Sequence, residues 1–181
     1  KTTTMGYDGK GQAVIKNASD IEPAWQQLGG SELIAESFVN FSRELSVIAA
    51  RGVDGEIQIY PIAENMHQDG ILRVSKVPVK GLCSEKEQQA KDFITLLLNH
   101  LGHVGVLTLE LFDCESGLVA NEMAPRVHNS GHWSIEGSFC SQFENHVRAI
   151  CGMPLGNPEA KQAASAMINI IGKNGDRNCV L

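Results

Sequence analysis

The sequence lacks the features of several broad classes of protein. It has no run of basic residues, and its 15 lysines and arginines are outnumbered by 21 acidic residues, which gives a formal net charge of −6. This balance argues against a nucleic acid or an anionic membrane as a partner. No stretch approaches the roughly 20 apolar residues of a membrane span, and the N-terminus has no charged-then-apolar signal pattern. We therefore expect a cytoplasmic protein.

Cysteine is also too sparse for disulfide bonds to hold the fold together. The five cysteines are odd in number, widely spaced and free of any Cys-x-x-Cys pair. This pattern predicts reduced thiols, with neither a disulfide framework nor a zinc cage. A hydrophobic content of 43% over 181 residues still allows a buried core, in one domain or in two small lobes.

Hydrophobic periodicity predicts a mixed α+β chain. A first lobe is expected to contain strands over residues 12–16 and 33–39, with a helix over residues 20–28 that starts at the capping residue Asp20. A second lobe begins with β-rich runs over residues 43–51 and 56–63. The Asp54-Gly55 pair between these runs is a strong hairpin signal.

Two helices are predicted further along the chain. The better one covers residues 85–101, with a capping box of Ser84 and Glu87 at its start and Gly102 at its end. A second capping box, formed by Ser141 and Glu144, begins another helix. The residues that share one face of this second helix are Phe143, Val147 and Ile150.

A later hairpin brings two carboxylates together. Strands over residues 104–113 and 118–124 are separated by Glu115-Ser116-Gly117, which suits a three-residue loop. If Cys114 pairs with Leu118, Glu110 lies directly opposite Glu122, with β-carbons only about 5 Å apart. Like charges so placed favour a cation such as Mg²⁺, which is typically held by one or two carboxylates plus phosphates. The alternative is a surface pair on opposite faces, which a one-residue slip in register would produce.

A glycine-rich stretch near the N-terminus is a candidate phosphate loop. Its residues are Gly6-Tyr7-Asp8-Gly9-Lys10-Gly11-Gln12. Glycine lets backbone N–H groups fold over an anion, and lysine adds positive charge. The stretch is neither a Walker loop nor a dinucleotide fingerprint, because it lacks a Gly-Lys-Ser/Thr ending and precedes a predicted strand. The alternative is a simple hairpin turn.

The segment after the second carboxylate strand is the best candidate for a substrate loop. It contains Arg126, His128, Asn129, Ser130 and His132. Such polar side chains suit anion and ribose recognition, and arginine offers a fork that matches phosphate or carboxylate. A zinc site at the two histidines is not expected, since no helix precedes them and no glutamate follows the first.

Along the chain, the glycine-rich stretch comes first, the carboxylate hairpin second and the polar loop third. In this chain order the three features resemble the ATP-grasp ligases, in which two α+β lobes clamp ATP. The resemblance implies Mg²⁺ bound by Glu110 and Glu122, and ATP bound through a phosphate lysine, its covering loop, an adenine hinge and further nucleotide contacts. The ATP-binding residues that it implies are Lys1, Gly6, Tyr7, Asp8, Gly9, Lys10, Gly11, Gln12, Glu36, Ser37, Phe38, Val39, Glu44, His67, Asn121 and Glu122.

Within that superfamily, residues 121–133 and 141–144 resemble the 5-(carboxyamino)imidazole ribonucleotide synthases, the ATPase subunits of phosphoribosylaminoimidazole carboxylase. The resemblance implies that ATP phosphorylates bicarbonate to carboxyphosphate, and that 5-aminoimidazole ribonucleotide then takes up the carboxyl unit in de novo purine (IMP) biosynthesis. It makes Arg126 and His128 the catalytic residues, and it makes Arg126, His128, Asn129 and Ser130 the substrate-binding residues.

The similarity extends over about residues 1–172 but covers only the middle of the family's usual length, so we expect a chain truncated at both ends. Residues 1–40 are then part of the first lobe, residues 41–153 the second lobe, and residues 154–181 the start of a C-terminal β-domain with an exposed apolar edge. The resemblance implies a homodimer for the full-length protein. Two alternatives remain: a fragment that binds Mg-ATP without turnover, and a non-catalytic interaction domain.

Overall fold

The computed structural model describes residues 1–3, 11–30 and 32–172. They fall into two units, one formed by Lys1–Asn40 with His67–Ile71, and the other by Phe41–Met66 with the chain from Leu72 onward. Residues 4–10 lie outside the described residues, and they include Gly6, Tyr7, Asp8, Gly9 and Lys10 of the predicted phosphate loop. The end of the predicted C-terminal segment, residues 173–181, also lies outside them. Among the described residues, no helix is long and apolar enough to cross a bilayer.

The first unit contains the predicted helix but not the two predicted strands. Helix α1 (Ile21–Leu28) follows a short 3-10 turn at Ala18–Asp20. The Asp20 carboxylate accepts hydrogen bonds from the backbone N–H groups of Lys16 at 2.8 Å and Asn17 at 2.9 Å. The prediction of strands over residues 12–16 and 33–39 was wrong, because neither range is a strand. The described part of this region has an isolated bridge between Thr2 and Leu33. Apolar runs alone do not make strands when no neighbouring strand pairs with them.

A seven-stranded sheet organises the second unit. The strand order is β6-β5-β1-β3-β4-β7, and β2 pairs with β1. The strands are β1 (Arg43–Arg51), β2 (Ile57–Ile59), β3 (Ala63–Gln68), β4 (Ile71–Val77), β5 (Gly105–Cys114), β6 (Gly117–Ala124) and β7 (Ser165–Ile168). The predicted hairpin at Asp54-Gly55 is confirmed as the β1–β2 connection, and the predicted run 56–63 is divided between β2 and the start of β3.

Helix α2 (Ser84–Leu101) covers one face of the sheet. Side chains alternate between the faces of a strand, so Leu107, Leu109 and Leu111 of β5 pack with Ile94 and Leu98 of α2. Gly102 ends the helix in the left-handed region, as predicted. The predicted capping box is wrong by one position, because the extended residue before the helix is Cys83 and Ser84 is already helical.

The other face carries a second core around Ile48, Tyr60 and Trp133. Two short helices lie beyond it, α3 (Ser134–Gly137) and α4 (Gln142–Ile150). The cap predicted for α4 is confirmed, since the Ser141 hydroxyl accepts a hydrogen bond from the N–H of Glu144 at 3.2 Å.

Helix α4 buries polar side chains and exposes apolar ones. Gln142 and Asn145 are fully buried, whereas the predicted apolar face is 38%, 52% and 54% exposed at Phe143, Val147 and Ile150. Asn145 donates a hydrogen bond to the hydroxyl of Tyr60 at 2.8 Å, and that hydroxyl donates to the carbonyl of Cys140 at 3.0 Å. Burial also raises the pKa of Tyr60, which keeps the hydroxyl a donor.

We predict that Tyr60→Phe lowers the free energy of unfolding by about 1–3 kcal/mol, because it leaves the buried Cys140 carbonyl and the Asn145 amide without this partner. Urea denaturation would measure the loss. A double variant with Asn145→Ala provides the control, since effects on a shared hydrogen bond are not additive. Strictly additive losses would contradict the assigned bond.

A buried carboxylate ties β5 to β1 and α2. Asp113 is 3% exposed. Its carboxylate accepts a hydrogen bond from Nε of Arg43 at 2.7 Å and another from Nζ of Lys86 at 2.5 Å. One acidic side chain thus connects three elements of the second unit.

Candidate functional site

The hairpin of β5 and β6 places Glu110 directly opposite Glu122, as predicted. The route to this pairing differs from the expected one. Cys114 pairs with Gly117 across a two-residue turn, one position away from the predicted partner Leu118. A β-bulge between Glu110 and Leu111 then inserts Asn121 into β6 and corrects the register.

The two carboxylates meet an imidazole on the sheet face that lies opposite α2. Ligand atoms of Glu110, Glu122 and His128 all lie within 4.8 Å of one another. His128 Nε2 is 3.4 Å from Oε1 of Glu110. The amide of Asn121, the bulge residue, donates a hydrogen bond to Oε2 of Glu110 at 3.4 Å.

This group of side chains fits a small divalent cation. Two Mg–O bonds of about 2.1 Å span at most about 4.2 Å, so the ligand atoms need to move by only fractions of an ångström. Glu122 is exposed and Glu110 is partly buried, which leaves one side of the pair open to further oxygen ligands. Opposed carboxylates repel each other in a sheet, and a cation between them removes that cost.

His128 is held on both sides of its ring and along its backbone. Ser130 Oγ is 2.8 Å from Nδ1 of His128, while the side-chain amide of Gln142 binds both the N–H and the carbonyl of His128. Ser130 is fully buried, and Asn129 Oδ1 is buried without a hydrogen bond among the described residues. The loop after β6 is therefore a fixed part of the site.

Arg126 is the exposed member of this loop. Its guanidinium donates a hydrogen bond to the carbonyl of Val127 at 3.0 Å. His132, further along, has its pKa lowered by burial and packs against Phe143 with ring centroids 5.5 Å apart. Glu110, Glu122, His128 and Ser130 are thus brought together, whereas Arg126 faces solvent.

In the first unit, the structure brings Lys1 and Glu36 together. The Nζ of Lys1 is 2.8 Å from the Glu36 carboxylate, and both side chains are partly exposed. Ser37 and Phe38 are exposed and Phe38 reaches 84%. Val39 follows them in the same irregular stretch and is partly buried.

The remaining predicted nucleotide residues are spread along the chain, but the second unit brings Glu44 close to Glu110, with carboxylate oxygens of the two within 4.8 Å of each other. Gly11 adopts a positive φ of 73° and its carbonyl accepts a hydrogen bond from Thr2 at 2.8 Å. Gln12 is exposed, and Glu44 and His67 are partly buried on β1 and β3. Neither Glu44 nor His67 is without an interaction partner.

Gln142 is not among the site residues predicted from the sequence. The signal that could have found it is the helical spacing of Gln142, Asn145 and Ala149, which puts two amides on the same face as an alanine. That face is the buried one.

The α+β fold and the paired carboxylates define the class of protein: the chain belongs to the ATP-grasp family, whose domain model matches residues 1–143. It is 49% identical over 172 residues to the N5-carboxyaminoimidazole ribonucleotide synthase of Pseudomonas aeruginosa, covering 95% of this chain and 47% of the relative. The chain therefore spans about half the length of the curated relatives that it matches.

Solved structures agree with this placement. The N5-carboxyaminoimidazole ribonucleotide synthetase of Thermus thermophilus superposes with a TM-score of 0.86 at 47% identity, covering 90% of this chain and 45% of that one. The Aspergillus clavatus enzyme complexed with ATP gives a TM-score of 0.89 at 35% identity, covering 95% and 45%. A second structure of that enzyme, with ADP and 5-aminoimidazole ribonucleotide, gives 0.79 at 34% identity, covering 85% and 42%.

Proposed function

We propose that this chain is the nucleotide-binding and carboxylate-bearing part of an enzyme that carboxylates 5-aminoimidazole ribonucleotide with bicarbonate at the expense of ATP. The product would be 5-(carboxyamino)imidazole ribonucleotide, an intermediate of purine biosynthesis. The observation that carries the proposal is the register of β5 and β6, which sets Glu110 opposite Glu122 beside a buried His128. The relatives that share this fold are named for the same activity.

ATP is the proposed nucleotide. The support is the family membership and the nucleotide complexes of the Aspergillus relative. Lys1 is the proposed phosphate ligand, and its ammonium group is paired with the Glu36 carboxylate. The further proposed contacts are Gly6, Tyr7, Asp8, Gly9, Lys10, Gly11, Gln12, Glu36, Ser37, Phe38, Val39, Glu44, His67, Asn121 and Glu122.

Magnesium is the proposed cation, and Glu110 and Glu122 would hold it. When bound, it would neutralise charge on the transferred phosphoryl group. The carboxylate oxygens are the ligands that Mg²⁺ prefers. Asn121 would keep Glu110 oriented through its hydrogen bond at 3.4 Å.

The loop after β6 would bind the carboxyl donor and the ribonucleotide. In the proposed reaction a bicarbonate oxygen attacks the γ-phosphorus and ADP leaves. The amine nitrogen then attacks the carboxyphosphate carbon, the carbon–oxygen bond to the phosphoryl group breaks, and phosphate leaves with the proton that the amine loses. Arg126 is exposed and can offer its fork to an anion. His128 would face the same region from its buried position, and Asn129 and Ser130 would position the ribonucleotide.

The organisation of the whole protein belongs to the same proposal. We infer a first lobe over residues 1–40, a second over residues 41–153 and a C-terminal β-domain beginning at residue 154. β7 lies at the edge of the sheet, and Ile168 and Ile170 are 69% and 76% exposed. A cytoplasmic homodimer with small-molecule substrates is the corresponding expectation for the complete enzyme.

A second candidate function follows from the coverage of the relatives. Because the chain spans 47% of the Pseudomonas enzyme, it would bind Mg-ATP without turnover if groups essential to catalysis lie in the rest. The two functions share one site and differ only in product formation.

Calorimetry and product assays together test both candidates. We expect ATP to bind the chain in the presence of Mg²⁺, with weaker binding when EDTA removes the cation. Phosphate release that depends on bicarbonate and on 5-aminoimidazole ribonucleotide would support the enzyme, and binding without release would support the fragment. Absence of any magnesium-dependent nucleotide binding would contradict both and favour an interaction domain.

A further inference from the structure

We propose that Gln142 is a positioning residue that fixes His128 against the Glu110 carboxylate. The catalytic part of this inference rests on the proposed function; the geometric part does not. Gln142 is fully buried at the start of α4, and it lies 14 residues along the chain from His128.

The side-chain amide of Gln142 makes two hydrogen bonds to the backbone of His128, as a neighbouring β-strand would. Its Oε1 accepts a hydrogen bond from the N–H of His128 at 3.0 Å, and its Nε2 donates to the carbonyl of His128 at 2.6 Å. A primary amide has one acceptor and two donor hydrogens, so it can satisfy both groups of a single residue. Asparagine carries the same amide on a side chain one methylene shorter, and no charged side chain offers both an acceptor and a donor.

We call this pair of hydrogen bonds from the Gln142 amide to His128 the Gln142 clamp. Gln142 is itself anchored and tightly packed. The backbone N–H of Gln142 donates to Ser134 Oγ at 3.0 Å, and that hydroxyl donates to the carbonyl of Gly131 at 2.6 Å. A β-carbon at Gly131 would lie 2.6 Å from both Oε1 of Gln142 and Cδ1 of Ile48. The loop therefore rests directly on the amide, and a shift of the amide moves the loop.

The ring orientation follows from the backbone position. The N–H of Ser130, which can only donate, points at Nδ1 of His128 at 3.4 Å, and the Ser130 hydroxyl is 2.8 Å from the same nitrogen. Nδ1 is therefore the acceptor, and the proton of the neutral ring is on Nε2, the nitrogen that faces Glu110 at 3.4 Å. Gln142 thus acts on the carboxylate pair through His128.

The decisive measurement is a long-range ¹H–¹⁵N spectrum of the histidine rings at one neutral pH, without nucleotide. His128→Gln assigns the His128 signals. We expect wild type to have a protonated Nε2 and a bare Nδ1 at His128. In Gln142→Leu, which removes both hydrogen bonds, we expect those signals to shift or broaden. Gln142→Met keeps the length of the side chain and removes both hydrogen bonds without burying a charge, so it should displace them to a similar extent.

Asn145→Ala is the matched control. Asn145 is buried on the same helix, and its side chain makes hydrogen bonds with Tyr60, Gly156 and Cys140. It should lower stability by a comparable amount and leave the His128 signals in place. If Gln142→Leu does not fold, Gln142→Met decides. His128 signals that are the same as wild type in the folded Gln142 variants would overturn the proposal.

A kinetic measurement tests the catalytic part. In the active enzyme we expect Gln142→Leu to reduce kcat on the order of 10- to 100-fold. The KM for ATP should change less than about twofold, because the substitution removes no contact that binds ATP equally in the ground state and the transition state. A normal kcat would overturn the catalytic role. The ring spectrum needs neither nucleotide nor turnover, so failure of the clamp and failure of the proposed function are distinguishable.

Discussion

We expect Glu122→Gln to remove the magnesium-dependent part of ATP binding. The substitution preserves the size of the side chain but takes one negative charge from the pair of carboxylates that β5 and β6 place opposite each other. Changes in the outer shell of a metal site already cost about 10- to 100-fold in affinity, so loss of a direct ligand should cost at least that much. Calorimetric titration of ATP with and without Mg²⁺ measures the difference.

The same substitution should slightly stabilise the protein without ligands. Removing one of two opposed like charges relieves roughly 0.2–1 kcal/mol of repulsion, so the melting temperature without Mg²⁺ should be equal to or above that of wild type. Glu115→Gln is the control, because Glu115 is exposed in the turn of the same hairpin. Unchanged magnesium-dependent binding in Glu122→Gln would refute the assigned ligands.

Asp113→Asn should lower the free energy of unfolding by about 3 kcal/mol, the low end of the cost of breaking a buried ion pair. Asp113 is buried, and its replacement leaves Arg43 and Lys86 without the carboxylate that both contact. The low end applies because these two cations are partly exposed, at 23% and 26% of their side-chain surface. Chemical denaturation at neutral pH measures the loss.

The pH dependence gives this prediction a second test. Burial raises the pKa of Asp113, but hydrogen bonds from Lys86 and Arg43, together with their charges, outweigh it and leave the pKa below the ordinary value of 3.8. A carboxyl with a depressed pKa in the folded state stabilises the protein above its ordinary pKa, and the contribution is lost as the pH falls through the folded value. Wild type should therefore lose stability below about pH 3.8 more steeply than Asp113→Asn.

Asp92→Asn is the control for Asp113. Asp92 is exposed on α2 and accepts a hydrogen bond from Gln88 at 2.8 Å. Its replacement should change the free energy of unfolding by no more than about 0.5 kcal/mol. Equal losses in the two variants would mean that the Asp113 cluster does not stabilise the fold.

Local signals predicted the second unit well. The Asp54-Gly55 turn, the long helix α2 and the two carboxylate strands each depend on residues close in sequence, and each is present. The strands predicted in the first unit failed for a different reason. The short apolar run within residues 12–16 says nothing about a partner strand, and Val14 and Ile15 are 60% and 53% exposed.

The carboxylate pair was predicted correctly, but the predicted register holds only from Glu110 onward and fails between Leu111 and the turn. A turn of one type was expected and another formed, and an irregularity in β6 compensated for the difference. Turn residues do not encode a bulge several positions away, so the sequence could not separate these two routes. The Gln142 clamp could not be predicted from the sequence either, because its two partners are 14 positions apart in the chain and only the tertiary fold brings them together.

The extra residue in β6 divides the hairpin into two halves with opposite parity. Between the turn and Leu111, cross-strand partners have residue numbers that add to an odd value, and from Glu110 onward they add to an even one. A ladder that continued from the turn without this offset would set Asn121 opposite Glu110 and would turn Glu122 toward the face that carries α2. An amide would then face the carboxylate, so a single inserted residue decides whether this hairpin presents two acids or one.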